Sequence, residues 1–495
     1  MTAHERPVSG PRVRLHPLVL VSGAAAAALL AWLAVDAPFV AAGVIFGLAA
    51  SVLVWYRPFF LFALLLFALP FHVFAVRLMT GPLNLAPGLI DLFAYWKEGV
   101  MVLLIGVLAV RRLLGQDRFH VAAYPFDLGL LMVALIMGLY VFVGPRLNIG
   151  VYGLRNYLEP LVLFYLLRVM PVTRRELKWL IVGMLLISVI MAVFGIYQVR
   201  AWTFADLYNW GFREADGTIP TAFYTAEVER QPHLRAVATV TSPNELGLMM
   251  MVTVAICLVL LIQPHRRLWQ RYTLIGIAAL AGACILYTYS RSSLVGLVVM
   301  LLALAVLEIG LRNLGRAVGY ILHRPGTILA LVVAAVLMVV GAERVGLMAR
   351  ITRAINLNDP SAVGHLASYE ESIPFILEHP VGIGMGMAGP RALKFANEVS
   401  IEHVESSYLQ MMMEVGILAT LFVLAVLLLM VWTLRRQRGR FGDPFFEAIN
   451  VAAQASWLGA LTAFAFLPLM QDLQLQSYLW VVAAIPLVAL REAAP

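Results

Sequence analysis

Residues 272–308 read YTLIGIAALAGACILYTYSRSSLVGLVVMLLALAVLE. Two apolar runs, 272–289 and 292–308, each approach the length that crosses a bilayer, about 20 residues at ~1.5 Å of rise per residue. Only Ser290-Arg291 separates them, so the chain must turn back at once. The runs are unbroken, whereas a membrane β-strand would alternate apolar and polar at every second position. This stretch is a helical hairpin with a guanidinium at its tip.

The same reading extends outward in both directions. About fourteen runs of spanning length occur: 17–35, 38–56, 58–76, 88–110, 126–143, 153–169, 177–199, 243–262, 272–289, 292–308, 326–342, 410–434, 448–466 and 475–491. Hydrophobic residues make up 62% of the chain and charged ones 13%, against roughly a quarter charged in a soluble domain. The first run has the basic, alanine-rich look of a signal peptide, but the spans that follow favour a retained anchor. Pro38, Pro58 and Pro70 leave 36–76 open between two full spans and a re-entrant pair. The expected fold is an all-α, polytopic integral membrane bundle of about 12–14 transmembrane helices. It forms a single membrane domain over 1–495, with an outer loop at 200–242 and a long, partly helical outer loop at 343–409 that caps the active site.

Positive charge then orients the array. Clusters stand before the first run (Arg6, Arg12, Arg14), at Arg57, at Arg111, Arg112 and Arg118, and at Arg168, Arg174, Arg175 and Lys178. Further clusters are Arg266, Arg267 and Arg271, then Arg312, Arg316 and Arg324, then Arg435, Arg436, Arg438 and Arg440, and finally Arg491. Between consecutive clusters lie apolar stretches that fit two spans each. Lys/Arg-rich loops stay cytoplasmic, which places both termini inside and the loops 200–242 and 343–409 outside. The net charge of +8 is spent on topology, and no compact basic face with stacking aromatics argues for nucleic acid. Cys257 and Cys284 both sit inside apolar runs, which excludes a disulfide framework or a zinc site.

The outward side collects the unusual polar residues. Arg291 either snorkels to the headgroups or faces a wet cavity, as functional ionisable groups in membranes do. Arg155 lies four residues before Glu159 on a helix, close enough to share a face. Two such arginines suit a diphosphate, because guanidinium forks bind phosphate oxygens bidentately and stay charged. The aromatics Trp202, Phe204, Tyr208, Trp210 and Phe212 read as an interfacial belt or as stacking surfaces for sugars. Ser242-Pro243 marks a helix start, with Ser242 as cap. Residues 365–378 carry an apolar stripe at helical spacing with Pro374 inside. Pro380-Val-Gly-Ile-Gly-Met-Gly386 is a close-packed turn or a backbone nest for an anion. Glu405, placed in the first turn of run 410–434, is either a dipole-favoured carboxylate or a general base, with His403 as the competing base. No Asp-x-Asp or His/Asp ligand cluster suggests a metal, and no cofactor is expected.

Five segments in this order, GLRNYLEP (153–160), TSPNELG (241–247), YSRSSLVG (289–296), EHPVGIGMG (378–386) and ESSYLQMMMEVG (405–416), resemble the O-antigen ligase/polymerase superfamily. The resemblance implies a metal-independent glycosyltransferase of the bacterial inner membrane, with its active site facing outward. It would take an undecaprenyl diphosphate-linked oligosaccharide as donor and a glycan or lipid A-core hydroxyl as acceptor, in contact with membrane lipid and envelope polysaccharide-assembly proteins. Arg155 and Arg291 would hold the diphosphate, and Glu405 or His403 would activate the acceptor. His365, Asn244 and Tyr408 would take supporting positions. Two departures from the family pattern stand out. Glu405-Ser406 replaces a His-Asn pair, and His365 is the nearest equivalent of an arginine. The Glu-Ser form tilts the expectation toward a polymerase of O-antigen or exopolysaccharide units over a ligase. A polysaccharide or lipid transporter is the rival class, although no related halves or midplane charges support it.

Overall fold

The computed structural model describes residues 55–116, 122–214, 217–228, 231–263, 267–309, 360–390, 392 and 404–491. The runs 17–35 and 326–342, all but the last two residues of 38–56, and His403 lie outside the described residues. The described chain is helical throughout, apart from one small hairpin. Eight of its helices are long and apolar enough to cross a membrane. This is an all-α integral membrane bundle.

Several runs form helices at the expected places but with breaks that hydropathy does not announce. Run 58–76 becomes α1 (Pro58–Ala68) and α2 (His72–Thr80), joined through a 3-10 turn at Leu69–Phe71 that contains Pro70. Run 88–110 divides into α3 (Pro87–Ala94) and α4 (Trp96–Leu113). Then come α5 (Pro125–Tyr140), α6 (Leu147–Val169) and α7 (Arg174–Ala201). Helix α6 starts at Leu147, so Arg155 stands about two turns inside it rather than at a span's end. Helix α7 opens on a capping box, in which Thr173 accepts from the Glu176 amide and Glu176 accepts from the Thr173 amide.

The loop after α7 holds the short helix α8 (Phe204–Asn209) and an antiparallel pair, β1 (Tyr224–Val228) and β2 (Gln231–Leu234). Next are α9 (Pro243–Ile262), α10 (Leu268–Thr288) and α11 (Arg291–Ile309). As expected, Ser242 caps α9, with Pro243 at the first helical position. Helix α12 (Pro360–Glu378) carries the apolar stripe and runs through Pro374. Run 410–434 is split at Gly416 into α13 (Ser407–Val415) and α14 (Ile417–Arg436), and the chain closes with α15 (Pro444–Ala463) and α16 (Leu473–Arg491).

Two spans form the centre. The apolar window of α16 is 94% buried and that of α9 83%, against 28–44% for the other candidate spans. Around them α11 crosses α15 at two glycines, where a Cβ on Gly296 would lie 3.0 Å from the Gly459 carbonyl and one on Gly459 2.6 Å from the Gly296 carbonyl. Small residues let membrane helices approach backbone to backbone, so this crossing needs both glycines.

The basic residues gather at one end of the bundle. Arg174 donates to the Phe441 and Ala489 carbonyls, Arg491 to those of Arg168 and Met170, and Arg438 to that of Leu307. Arg168 also pairs with Asp127. The turns α7–β1, α10–α11 and α15–α16 all lie at the opposite end, hereafter the loop end.

Candidate active site at the loop end

The α10–α11 hairpin is the most rigidly held feature there. Helix α10 stops because Tyr289 adopts a left-handed backbone, φ +53°, which reverses the chain within one residue. Ser293 donates to Ser290 Oγ at 2.8 Å and to the Asn244 carbonyl at 3.2 Å. Gly247 sits so close that a Cβ there would meet Ser293 Oγ at 2.5 Å, which locks α9 to the hairpin. Arg235 completes the frame by donating to the Thr288 carbonyl at 2.8 Å, the Ala222 carbonyl at 3.0 Å and the Asn244 side-chain oxygen at 2.9 Å. Asn244 is thus a positioning residue, with its side chain occupied by Arg235. Arg291, half-buried, starts α11 between the buried Ser290 and Ser292.

Arg155 stands in a different setting. It pairs with Glu98 at 3.2 Å and, as the four-residue spacing anticipated, with Glu159 at 3.3 Å. Its guanidinium packs 5.1 Å from the Tyr152 ring and 5.7 Å from that of Tyr95. Lys97, only 5% exposed, joins the same two carboxylates: it bonds Glu98 and reaches Glu159 at 3.2 and 3.3 Å. Trp96 donates to His72 Nδ1 beside them at 3.0 Å. The break before α4 allows this arrangement, because Trp96, Lys97 and Glu98 fall on the first turn of a new helix.

Glu405 lies just outside α13, not in its first turn. Ser406 holds the cap position and accepts from the Leu409 amide, so the dipole-favoured reading of Glu405 gives way. Its amide donates to Ser368 of α12 at 3.0 Å, which ties the start of α13 to the helix that also contains His365. Ser407 donates to the Leu467 carbonyl at 2.6 Å and accepts from the Met470 amide at 3.1 Å. Tyr408 donates to the Leu461 carbonyl. Its hydroxyl anchors α13 on α15. Ser407→Ala would leave the Met470 amide unmatched, while the Leu467 carbonyl keeps the Ser407 amide, at a cost of about 1–3 kcal/mol. A lower melting temperature in detergent, with the secondary structure unchanged, is the expected result.

The glycine turn resolves as a packing device. Gly382, Gly384, Gly386 and Gly389 all have φ between +76° and +115°. The turn's amides are consumed internally: Ile383 donates to the Met413 carbonyl, Gly384 to the Glu414 carbonyl and Met385 to the Tyr140 carbonyl. The amide of Gly386 donates to Glu414 Oε1 at 3.1 Å. The nest is thus already occupied, by the protein's own Glu414 carboxyl.

Glu414 is fully buried, and it also accepts from Tyr157 at 3.1 Å and from Gln471 at 3.4 Å. Glu245, equally buried, accepts from the Thr241 amide at 2.9 Å and from the Leu475 amide at 3.3 Å, near the N-terminus of α16. A carboxylate is favoured at that position by the helix dipole. Arg77 of α2 brackets the same strand of chain by donating to the Val240 and Thr241 carbonyls at 2.8 and 3.0 Å. The segment before α16 is therefore a hub. Glu245 binds it next to Asn244 and the hairpin, Ser407 binds it from α13, and Glu414 links it to Tyr157, two residues beyond Arg155.

The loop aromatics neither line a belt nor stand apart. Leu207, Phe212, Phe223, Leu234 and Val237 form a small core of their own, with Arg77 held 4.3 Å above the Phe212 ring. Trp210 stacks on Trp202 at 5.5 Å, and Trp210 and Tyr208 stay about two-fifths exposed.

This arrangement defines a class: a membrane-embedded helical bundle with a basic end and, at the opposite loop end, a second set of partly buried cationic and carboxyl side chains. A family model described as O-antigen ligase matches residues 276–424, a stretch that runs from α10 through Arg291 and Glu405 into α14. That stretch is similar to the O-antigen ligase family and contains the last three of the five segments, 289–296, 378–386 and 405–416. No curated protein matches the chain.

Proposed function

We propose that the protein is an inverting glycosyltransferase of the bacterial inner membrane that lengthens lipid-linked O-antigen or exopolysaccharide chains at the outer leaflet. The observation that carries this reading is the family match over 276–424, because it includes the rigid Arg291 hairpin and the Glu405 segment together. Gathering of the basic residues at one end supports cytoplasmic termini. The loop end then faces outward, with α12 of the 343–409 loop tied to it by Ser368 on the Glu405 amide and Tyr369 on the Ala465 carbonyl.

In this reading Arg291 and Arg155 hold the diphosphate of an undecaprenyl diphosphate-linked glycan. Positive charge counts for more as the anomeric C–O bond breaks and the diphosphate leaves, so no metal is needed. Glu405 takes the proton of the acceptor hydroxyl, whose oxygen forms the new bond to the anomeric carbon from the opposite face. Ser406 relieves Glu405 of capping the helix, and Ser368 fixes its backbone. His403 is the alternative base, with His365, Asn244 and Tyr408 shaping the surroundings.

Reconstituted protein supplied with undecaprenyl diphosphate-linked oligosaccharide in EDTA is the direct test. Ladders of longer lipid-linked chains are expected. Transfer to added lipid A core instead would make the protein a ligase, the activity in the matched family's description. Movement of lipid across the bilayer without either product would refute the enzymatic reading. Glu405→Gln, which keeps size and removes the base, should lower turnover by about 10²–10⁴-fold with the donor KM little changed. Full activity in that variant would move the role to His403.

A further inference from the structure

The Arg155 site has carboxyl partners before any substrate arrives. Lys97 and Arg155 face Glu98 and Glu159, each carboxyl contacting both cations. The carboxyls of this closed quartet offset the attraction of the cations for an anion. Yet its members are not equivalent. The Lys97 and Glu159 side chains are each 7% exposed, while Arg155 is 29% and Glu98 22% exposed. Lys97 and Glu159 form the buried half. The Arg155–Glu98 contact at 3.2 Å is the part that reaches the surface, with Arg155 flanked by the Tyr95 and Tyr152 rings.

We infer that Glu98 is a built-in competitor for Arg155, displaced by the donor's diphosphate, and that Lys97 is the positioning residue that retains both carboxylates when Arg155 turns away. This rests on the proposed assignment of Arg155 to the diphosphate. The exchange gives specificity. A phosphodiester headgroup, which carries one negative charge, would replace one carboxylate contact with one of similar strength, whereas a diphosphate offers more negative charge to the guanidinium fork. The site therefore selects for the diphosphate-linked lipid over the phosphodiester lipids of the bilayer, which a freely exposed arginine would not do.

The test uses the full-length protein in detergent, with undecaprenyl diphosphate and a phosphatidylglycerol as probes. Glu98→Gln removes the competitor with little change in shape. Affinity for the diphosphate should rise by about three- to tenfold, and the preference over the phosphodiester should shrink, as expected for loss of one partly exposed ion pair. A purely structural Glu98 would instead leave affinity unchanged or weaken it, and either result overturns the inference. Lys97→Arg should behave as the original protein. Lys97→Met should weaken diphosphate binding because both carboxylates then fall to Arg155. Should Lys97→Met fail to fold, the Glu98→Gln measurement decides alone. Arg155→Ala separates the two levels: lost affinity with unaltered Glu98→Gln binding refutes the exchange only. Unchanged affinity in Arg155→Ala refutes the diphosphate assignment itself.

Discussion

Arg291→Ala should lower chain growth by about 10²–10³-fold, a loss of the size seen when one preorganised charge-stabilising group is removed from a transition state. Transferred to free energy, that is about 3–4 kcal/mol at ~1.4 kcal/mol per decade. The loss should fall mainly on kcat, because charge on the departing diphosphate grows as the bond breaks. Substitution keeps the hairpin's own hydrogen bonds, and this makes the result interpretable. The hairpin is held by Ser293 on Ser290 and the Asn244 carbonyl, by Arg235 on the Thr288 carbonyl, and by the Ala236 amide on the Tyr287 carbonyl. Those bonds do not use the Arg291 guanidinium. Arg291→Lys keeps the charge but loses the planar fork, so it should recover only part of the activity. A folded Arg291→Ala protein that extends chains at the original rate would remove Arg291 from the mechanism and return it to the snorkelling role that its position at a hairpin tip also allows.

The parts of this molecule legible in its sequence are those set by one-dimensional regularities. Apolar length placed α7, α9, α10, α11, α15 and α16 within a few residues, because in hydrocarbon every backbone polar group must be satisfied inside its own helix. Ser242-Pro243 marked the start of α9, and the Arg155–Glu159 spacing gave a pair that forms. The breaks at Tyr95 and Gly416 were not legible, since apolar residues continue across them and tertiary contacts decide where the helix stops. Those breaks carry the site's chemistry. Lys97 and Glu98 intrude into an otherwise apolar run, and an ionisable pair inside a span is a signal of function in its own right. Hydropathy averaging hides it. Glu414 follows three methionines and reads as part of a helix; only the folded chain brings Gly386, Tyr157 and Gln471 to it. Arg235 and Asn244, separated by nine residues, gave no sequence signal of pairing, because their partnership depends on how a loop folds over the hairpin.

Gly386→Val should be the most destructive single change for folding, and the reason is geometric. Gly386 has φ +76°, and a Cβ there would stand 2.5 Å from the Ile149 carbonyl oxygen and 3.2 Å from its carbonyl carbon. The obstacle is the backbone of α6, which cannot rotate away as a side chain could. A left-handed backbone costs a non-glycine residue about 1–2 kcal/mol, more when it is β-branched, and forcing atoms into a packed interface adds about 1–3 kcal/mol. Displacing the turn would also withdraw the Gly386 amide from the fully buried Glu414, which would keep its side-chain donors Tyr157 and Gln471. Together these exceed about 3 kcal/mol, a large part of the ~5–15 kcal/mol that typically separates folded from unfolded protein. Gly439 provides the internal control: its φ of +79° is nearly the same, but a Cβ there would meet nothing within 4 Å. Gly439→Val therefore carries the backbone strain alone and should lower the melting temperature only slightly, with transfer activity intact. Gly386→Val should give little folded protein in detergent, and Gly386→Ala a folded but less stable one with weakened donor binding, since the turn clamps the α6 segment just before Arg155. Equal effects at the two positions would mean that strain, not the contact with α6, dominates, and the clamp would then have no part in placing Arg155.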